Sequence, residues 1–338
     1  MNIRAAADSA LRRRLPITAR MKLIDIGANL ADSVFFGNYR GKQVHPDDFE
    51  RVLDRARQAG VVGLMVTGTN LAESRTAIDL AKRYDGLFAT VGCHPTRSEE
   101  FASRPDEYYQ QLLDLIETNR DKVVAVGECG LDYDRLHFAP RETQMACFRR
   151  QFDIAEATGL PMFLHNRNTG MDFVSIVREN RHRFTGGVAH SFTGPMEEMR
   201  QLVDLGLYIG VNGCSFKTEE NLRVAAEIPL DRLMLETDCP YCEVRPSHAG
   251  HRLLGTEGAE SALISPDGWR PPASKKKERW DSESMVKSRN EPCMIRDVVR
   301  ILARLRGMAE EEIAQAAFDN TVRVFFHGIE EGRYKMLA

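Results

Sequence analysis

Short apolar runs rich in β-branched residues alternate with amphipathic segments along most of this chain. The runs have the length and composition of buried strands, and the segments between them have the apolar spacing of helices. Eight strands are predicted, and they begin near Leu23, Val62, Leu87, Val123, Pro161, Gly186, Leu207 and Leu233.

The intervening segments predict helices, and this alternation implies parallel strands joined by crossover helices. Eight strand–helix units within about 220 residues predict an α/β fold of the (β/α)8 TIM-barrel type. The rival fold, an open doubly wound sheet, normally has a Gly-rich turn after its first strand, and residues 25–29 do not form one. The predicted helices cover 46–58, 71–84, 105–119, 141–157, 171–181, 196–205, 219–226, 309–318 and 321–326.

The barrel is predicted to be a single domain over residues 21–328, with a tail at 329–338. Residues 1–20 differ from the rest because they contain five arginines and only one acidic residue, Asp8. Such an Arg-rich, acid-poor start is typical of a mitochondrial transit peptide. A disordered tail before Met21 is the alternative, and we leave both interpretations open.

A long segment separates the eighth strand from the helix that follows residues 290–292. Its central part, 243–289, is polar and rich in Gly and Pro, and it is long for a loop. In a TIM barrel a connection after a strand lies at the C-terminal face, where active sites are built. We therefore expect this loop to lie over the barrel mouth.

The amino-acid composition indicates the cellular surroundings of the protein but says little about its reaction. The formal net charge of −3 argues against non-specific polyanion binding, so any nucleic-acid contact requires a local basic patch. Seven cysteines, an odd number, suit free thiols in a reducing compartment, and no apolar stretch is long enough for a membrane helix. The expected location is intracellular, in the nucleus or cytoplasm, with mitochondria as the alternative given by residues 1–20.

Four of the apolar runs are followed by a side chain that commonly binds metal ions. Glu128, His165, His190 and Asp238 come at the ends of the fourth, fifth, sixth and eighth predicted strands. Packing alone rarely places unpaired carboxylates and imidazoles there, because burying them without partners is costly. Since the C-terminal ends of barrel strands share one face, the four residues predict a metal site for a divalent ion. Mg²⁺ is our first expectation, with Mn²⁺ or Zn²⁺ as alternatives.

Seven segments occur in order around these residues: IDIGANL (24–30), VGCHPT (91–96), VGECGLDY (126–133), LHNRN (164–168), HSF (190–192), LETD (235–238) and NEP (290–292). They resemble the motifs of the TatD family of metal-dependent deoxyribonucleases, and most closely those of its eukaryotic branch. The resemblance implies an amidohydrolase-like barrel that hydrolyses DNA phosphodiester bonds, often as a 3′→5′ exonuclease. It also implies that Glu128, His165, His190 and Asp238 bind the metal. Glu128 and Asp238 are the predicted catalytic residues.

One departure from the family pattern concerns the first strand. Many TatD-like proteins carry a His-x-His pair there, whereas this chain has Gly27-Ala28-Asn29. We therefore expect one firmly held ion and a second that binds more weakly, together with substrate. Asp25 and Asn29 are the remaining candidate site residues on this strand.

Other polar residues near the strand ends are candidates for binding the substrate. His94, Arg167 and Lys217 are predicted to contact a phosphate, since a phosphodiester needs cationic or N–H donors beyond the metal. For His94, metal binding is the alternative. Lysines beside an aromatic residue suit single-stranded DNA, so the mouth loop adds a second candidate surface. Its residues are Lys275, Lys276, Lys277 and Trp280.

The predicted function is therefore hydrolysis of DNA by metal-activated water, with Asp238 accepting the proton. DNA is the expected partner, and neither a membrane nor an obligate protein partner is expected. An amidohydrolase acting on a small amide or ester is the alternative. A third possibility, of another class, is a non-catalytic binding barrel.

Overall fold

The computed structural model describes residues 21–255 and 267–327, and within them eight parallel strands pair in chain order. This arrangement confirms the predicted barrel. Residues 1–20 lie outside the described residues, as do 328–338, so the predicted domain limits and the targeting hypothesis stay predictions. The strands are β1 (Leu23–Ala28), β2 (Val61–Val66), β3 (Leu87–Val91), β4 (Val123–Asp132), β5 (Met162–Arg167), β6 (Gly187–Ala189), β7 (Tyr208–Val211) and β8 (Leu233–Leu235).

The barrel closes between β1 and the residues that follow β8. The Asp238 backbone N–H donates to the Gly27 carbonyl oxygen at 2.8 Å. The fully buried Asp25 carboxylate accepts from the Thr237 backbone N–H at 3.0 Å and from the Thr237 hydroxyl at 2.5 Å. Asp25 thus joins the first strand to the last, because β8 is too short to form a regular ladder with β1.

Ten helices of the described segments surround the strands. The last helix plugs the N-terminal end of the barrel, where Phe326 packs edge-on against Phe88 with ring centroids 4.8 Å apart. Burying a phenylalanine contributes about 1.5–3 kcal/mol. The helices are α1 (Phe49–Gln58), α2 (Leu71–Arg83), α3 (Ser98–Ser103), α4 (Pro105–Thr118), α5 (Arg141–Thr158), α6 (Asp172–Asn180), α7 (Met196–Asp204), α8 (Glu219–Glu227), α9 (Ile295–Arg306) and α10 (Glu310–Phe325).

The first helix begins at Phe49 instead of residue 46, and α3 has no predicted counterpart. Two further differences have a clear physical reason. The two C-terminal helices predicted at 309–318 and 321–326 form one helix, α10, because Asn320 does not interrupt it: its side-chain amide donates to the carbonyls of Leu230 and Leu233. Similarly, β4 continues beyond Glu128, since its backbone keeps pairing with β5 where the side chains are already polar. In β4, the apolar run therefore ends several residues before the strand does.

The end of the long loop after β8 is anchored by a buried charge cluster that we call the arginine cluster: Arg55, Asp48, Arg289 and Glu291. That this loop covers the mouth stays a prediction. The Arg289 guanidinium donates to both Asp48 carboxylate oxygens at 2.8 and 2.6 Å. Arg55 on α1 donates to Glu291 at 2.7 Å. These bonds tie the end of the loop to α1. No helix in the described ranges is long and apolar enough to cross a membrane.

Candidate metal centre

Three of the four predicted ligands meet in the barrel mouth, and we call them the ligand cluster: Glu128, His165 and His190. Glu128 Oε1 lies 2.8 Å from His165 Nδ1 and 2.8 Å from His190 Nε2. The two imidazole nitrogens are 3.3 Å apart. All three side chains are buried. One carboxylate oxygen and two ring nitrogens thus converge on one point, as ligands of a single cation do.

The other nitrogen of each imidazole faces a further buried carboxylate. Asp132 Oδ2 lies 3.3 Å from His165 Nε2, and Glu236 Oε2 lies 3.4 Å from His190 Nδ1. Metal-bound histidines usually direct the second N–H at a carboxylate, which fixes the ring and its tautomer. This arrangement and the donor set fit a divalent ion bound at the ligand cluster.

Within the ligand cluster, the carboxylate and the imidazoles stabilise one another's charged forms. Burial raises the pKa of Glu128, but the imidazoles of His94, His190 and His165 outweigh this effect and hold it well below its usual value. Burial lowers the pKa of His190, but the carboxylates of Glu128 and Glu236 hold it well above its usual value. A carboxylate that remains ionised inside a protein is a strong ligand for a cation.

Asp238, the fourth predicted ligand, lines the same cavity of about 1100 Å³ but lies apart from the ligand cluster. Among the described residues, Asp238 belongs to no group of three metal-binding side chains whose ligand atoms lie within 4.8 Å of one another. Its Oδ1 accepts from the Asn29 amide at 2.8 Å, and its Oδ2 accepts from the Cys242 thiol at 3.2 Å. Burial raises the pKa of Asp238 to about 6. Its role as a ligand stays a prediction.

His94 is held as a hydrogen-bond donor towards the cavity. Its Nδ1 accepts from the Thr96 backbone N–H at 3.1 Å, so the proton of the neutral ring is on Nε2. Burial lowers the pKa of His94, which favours this neutral form. Nε2 lies 3.4 Å from Glu128 Oε1. This geometry suits the predicted phosphate contact, but His94 also forms, with Asp132 and His165, a second group of side chains whose ligand atoms lie within 4.8 Å of one another and could hold an ion.

Arg167 and Lys217, the two predicted cationic contacts, also line the cavity. The Arg167 guanidinium donates to the Thr193 hydroxyl at 2.8 Å, and no carboxylate in the described part of the chain lies within ion-pair distance of it. Lys217 is exposed at the rim. Both cations are therefore available to an anion, although their contact with phosphate stays a prediction.

The remaining predicted residues are distributed differently. Asn29 lines the cavity through its contact with Asp238, whereas Asp25 closes the barrel and is not among the residues lining the cavity. The loop residues also lie outside the cavity lining: Lys275 pairs with Asp281, and Trp280 stacks on His45 with ring centroids 5.5 Å apart. Their predicted contact with DNA stays a prediction. Lys276 and Lys277 line a separate groove.

Sequence reasoning missed the two carboxylates behind the imidazoles. Asp132 lies four residues after the predicted ligand Glu128, but β4 extends as far as Asp132 and brings its carboxylate to His165. Glu236 is fully buried and accepts from the Ser191 backbone N–H and the Asn212 amide. A carboxylate directly after the apolar run Leu233–Leu235 was a signal that could have identified Glu236.

Comparison with known proteins agrees with this architecture. Residues 24–326 match the family described as TatD related DNase. The chain is 43% identical to the deoxyribonuclease Tat-D of Schizosaccharomyces pombe, over 90% of this chain and 96% of that protein. It is 33% identical to the 3′-5′ ssDNA/RNA exonuclease TatD of Pectobacterium carotovorum, over 90% and 99% respectively.

A solved structure agrees equally well. The crystal structure of a hydrolase TatD family protein from Entamoeba histolytica superposes with a TM-score of 0.82 at 35% identity, covering 91% of this chain and 99% of that one. The higher identity to the S. pombe protein than to the bacterial enzyme agrees with the expected eukaryotic branch. Because the family match runs through the whole barrel and includes every member of the ligand cluster, this chain belongs to the TatD family.

Proposed function

We propose that this protein hydrolyses phosphodiester bonds in DNA with a divalent metal ion. The observation that carries the proposal is the ligand cluster, in which Glu128, His165 and His190 converge within a buried, polar cavity. The names of the relatives support it, since one is a deoxyribonuclease and another a 3′-5′ exonuclease on single-stranded DNA and RNA. Family membership favours this function over the amidohydrolase alternative.

The ligand cluster would hold the ion, and Asp132 and Glu236 would orient its two imidazoles. A divalent ion there supplies a Lewis acid for the phosphate and lowers the pKa of water. Because one carboxylate and two imidazoles also suit Mn²⁺ and Zn²⁺, we keep Mg²⁺ as the first expectation and those two as alternatives. One ion would be firmly held, and a second would arrive with substrate.

The other cavity residues have distinct roles in this proposal. His94 Nε2–H and the Arg167 guanidinium would donate to phosphate oxygens, with Lys217 adding charge at the rim. Asp238 would accept the proton of the attacking water, because Asn29 orients its carboxylate and a pKa of about 6 suits a base acting near neutrality. The expected place of action is intracellular, in the nucleus, cytoplasm or mitochondria, and seven free cysteines suit a reducing compartment.

The direct test is digestion of end-labelled single- and double-stranded DNA with Mg²⁺, Mn²⁺, Zn²⁺ or EDTA, analysed on denaturing gels. We expect shortening from the 3′ end that EDTA abolishes. His190→Gln should lose this activity, whereas His182→Gln, which changes an exposed histidine away from the mouth, should keep it. If the wild type shortened no substrate with any ion, the proposal would be wrong.

A further inference from the structure

A second cavity of about 1050 Å³ lies beside the mouth and is strongly basic; we call it the basic groove. Five of its lining residues are cationic, Arg40, Lys42, Lys276, Lys277 and Lys287, and only Glu278 is acidic. This local excess of positive charge contrasts with the formal net charge of −3 for the whole chain. It is the kind of local patch that an otherwise acidic protein needs to bind a polyanion.

The cations of the basic groove are not neutralised by the surrounding protein. Among the described residues, none of the five has a carboxylate within the 4.0 Å ion-pair distance, whereas the neighbouring Lys275 pairs with Asp281 and is not in the groove lining. Lys277 Nζ instead lies 4.6 Å from the centre of the Tyr39 ring. Unpaired like charges repel one another, and an anionic ligand would relieve that repulsion.

The basic groove adjoins the cavity that holds the ligand cluster, which we call the catalytic cavity, at the short 3₁₀ helix Ser33–Phe36. Ser33 lines the cavity and the next residue, Val34, lines the groove. The start of this helix is fixed by Asp32, whose carboxylate accepts from the Val34 backbone N–H at 3.0 Å and from the Tyr241 hydroxyl at 2.7 Å. Because these two neighbouring residues line different cavities, a nucleic-acid strand that crosses Ser33 from the catalytic cavity would reach the groove.

We propose that the basic groove binds the sugar–phosphate backbone of a single nucleic-acid strand whose cleaved end lies in the catalytic cavity. The inference rests on the proposed function and adds a binding site beyond the scissile bond. Unpaired lysines beside an aromatic ring suit a single strand, whose phosphates follow a basic groove. The enzyme would consequently prefer strands long enough to reach both cavities.

The binding test compares two triple variants with equal loss of charge. Lys42→Gln, Lys276→Gln and Lys287→Gln together change the groove. The control combines Lys22→Gln, Lys82→Gln and Lys122→Gln, which lie at the opposite end of the barrel, next to the starts of β1 and β4 and at the end of α2. Fluorescence anisotropy with a labelled 20-nucleotide oligothymidylate in EDTA, at several NaCl concentrations, gives Kd and its salt dependence.

We expect the groove variant to bind at least about tenfold more weakly, and its slope of log K against log[salt] to shrink by about 2, since each phosphate contact with a single strand contributes about 0.7. The control should match the wild type. Equal binding by all three proteins, or equal losses in both variants, would overturn the inference. So would equally tight wild-type binding of a blunt 20-base-pair duplex, because the site would then not be specific for a single strand.

An activity measurement separates this inference from the proposed function. The kcat/KM for the 20-mer is divided by that for a dinucleotide, whose single phosphate is at the scissile bond and leaves none for the groove. We expect this ratio to fall at least fivefold in the groove variant and to stay constant in the control; a constant ratio in both would contradict the groove. If the wild type hydrolyses neither substrate, the proposed function fails, while the binding measurement still decides whether the groove holds a strand.

Discussion

Two buried clusters of charged groups, the arginine cluster and the ligand cluster, differ in how their polar atoms are arranged. In the arginine cluster, two guanidinium groups face two carboxylates, with Arg289 donating to Asp48 at 2.6 and 2.8 Å and Arg55 donating to Glu291 at 2.7 Å. In the ligand cluster, two imidazole nitrogens only 3.3 Å apart face one carboxylate oxygen. Both clusters are almost completely buried.

This difference separates a structural cluster from a functional one. The arginine cluster needs no further ion, because each guanidinium donates directly to a carboxylate with good hydrogen-bond geometry. The ligand cluster directs its donor atoms at a shared point, where a cation satisfies all three together. Burial alone therefore does not identify a functional site; the informative feature is where the polar atoms point.

The largest effect should come from Glu128→Gln, which keeps the size of the side chain but removes the charge at the centre of the ligand cluster. DNA hydrolysis should fall about a thousandfold or more, because the metal's contribution to catalysis is several kcal/mol. Gel assays measure the loss, and Glu142→Gln, an exposed residue on α5, is the matched control. Retention of a tenth of the activity in a folded Glu128→Gln protein would contradict a metal-binding role.

Arg289→Met should destabilise the fold by about 3–5 kcal/mol, because it leaves Asp48 and Glu291 buried with reduced compensation. Urea denaturation measures this loss. Arg104→Met breaks an exposed pair with Glu107 whose side chains are 63% and 51% exposed, and it should cost about 1 kcal/mol or less. Equal costs at the two sites would refute the distinction between a buried cluster and a surface ion pair.

Metal removal should affect stability only through the ligand cluster. An ion present at a hundred times its Kd stabilises the folded protein by about 2.7 kcal/mol, so EDTA should lower the Tm of the wild type. The Tm of Glu128→Gln should change little. Calorimetric scans after adding back Mg²⁺, Mn²⁺ or Zn²⁺ then identify the preferred ion. An identical response of both proteins to EDTA would mean that the ion binds elsewhere.

The smallest effect should come from Glu236→Gln, behind His190. Its amide N–H would face His190 Nδ1 and favour the tautomer with the proton on Nε2, which is the nitrogen directed at the ligand cluster. Metal affinity should fall about 10–100-fold, measured by titration calorimetry. The exposed Asp106→Asn variant serves as the control. Unchanged affinity in Glu236→Gln would show that this carboxylate does not orient the imidazole.

Much of the fold and part of the site could be predicted from the sequence, since both depend on local patterns. The predicted strand starts agree with the structure to within one residue, because a buried parallel strand needs an uninterrupted apolar run. His165 and His190 were predicted as ligands because polar residues after such runs are unusual. The continuation of β4 to Asp132 could not be predicted, because backbone pairing there does not depend on apolar side chains.

The sequence by itself determined the barrel, the face on which Glu128, His165, His190 and Asp238 lie, and membership of the TatD family. Only the tertiary structure decided how these groups face one another: Asp132 and Glu236 behind the imidazoles, Asn29 on Asp238, and Asp25 closing the barrel. The tertiary structure alone also brings together the basic groove, which is built from the antiparallel hairpin 38–43 and the loop near residue 280. The physical reason is that the spacing of apolar residues is a local property of the sequence, which predicts strands and helices. Contacts between side chains depend instead on which distant segments the fold brings together.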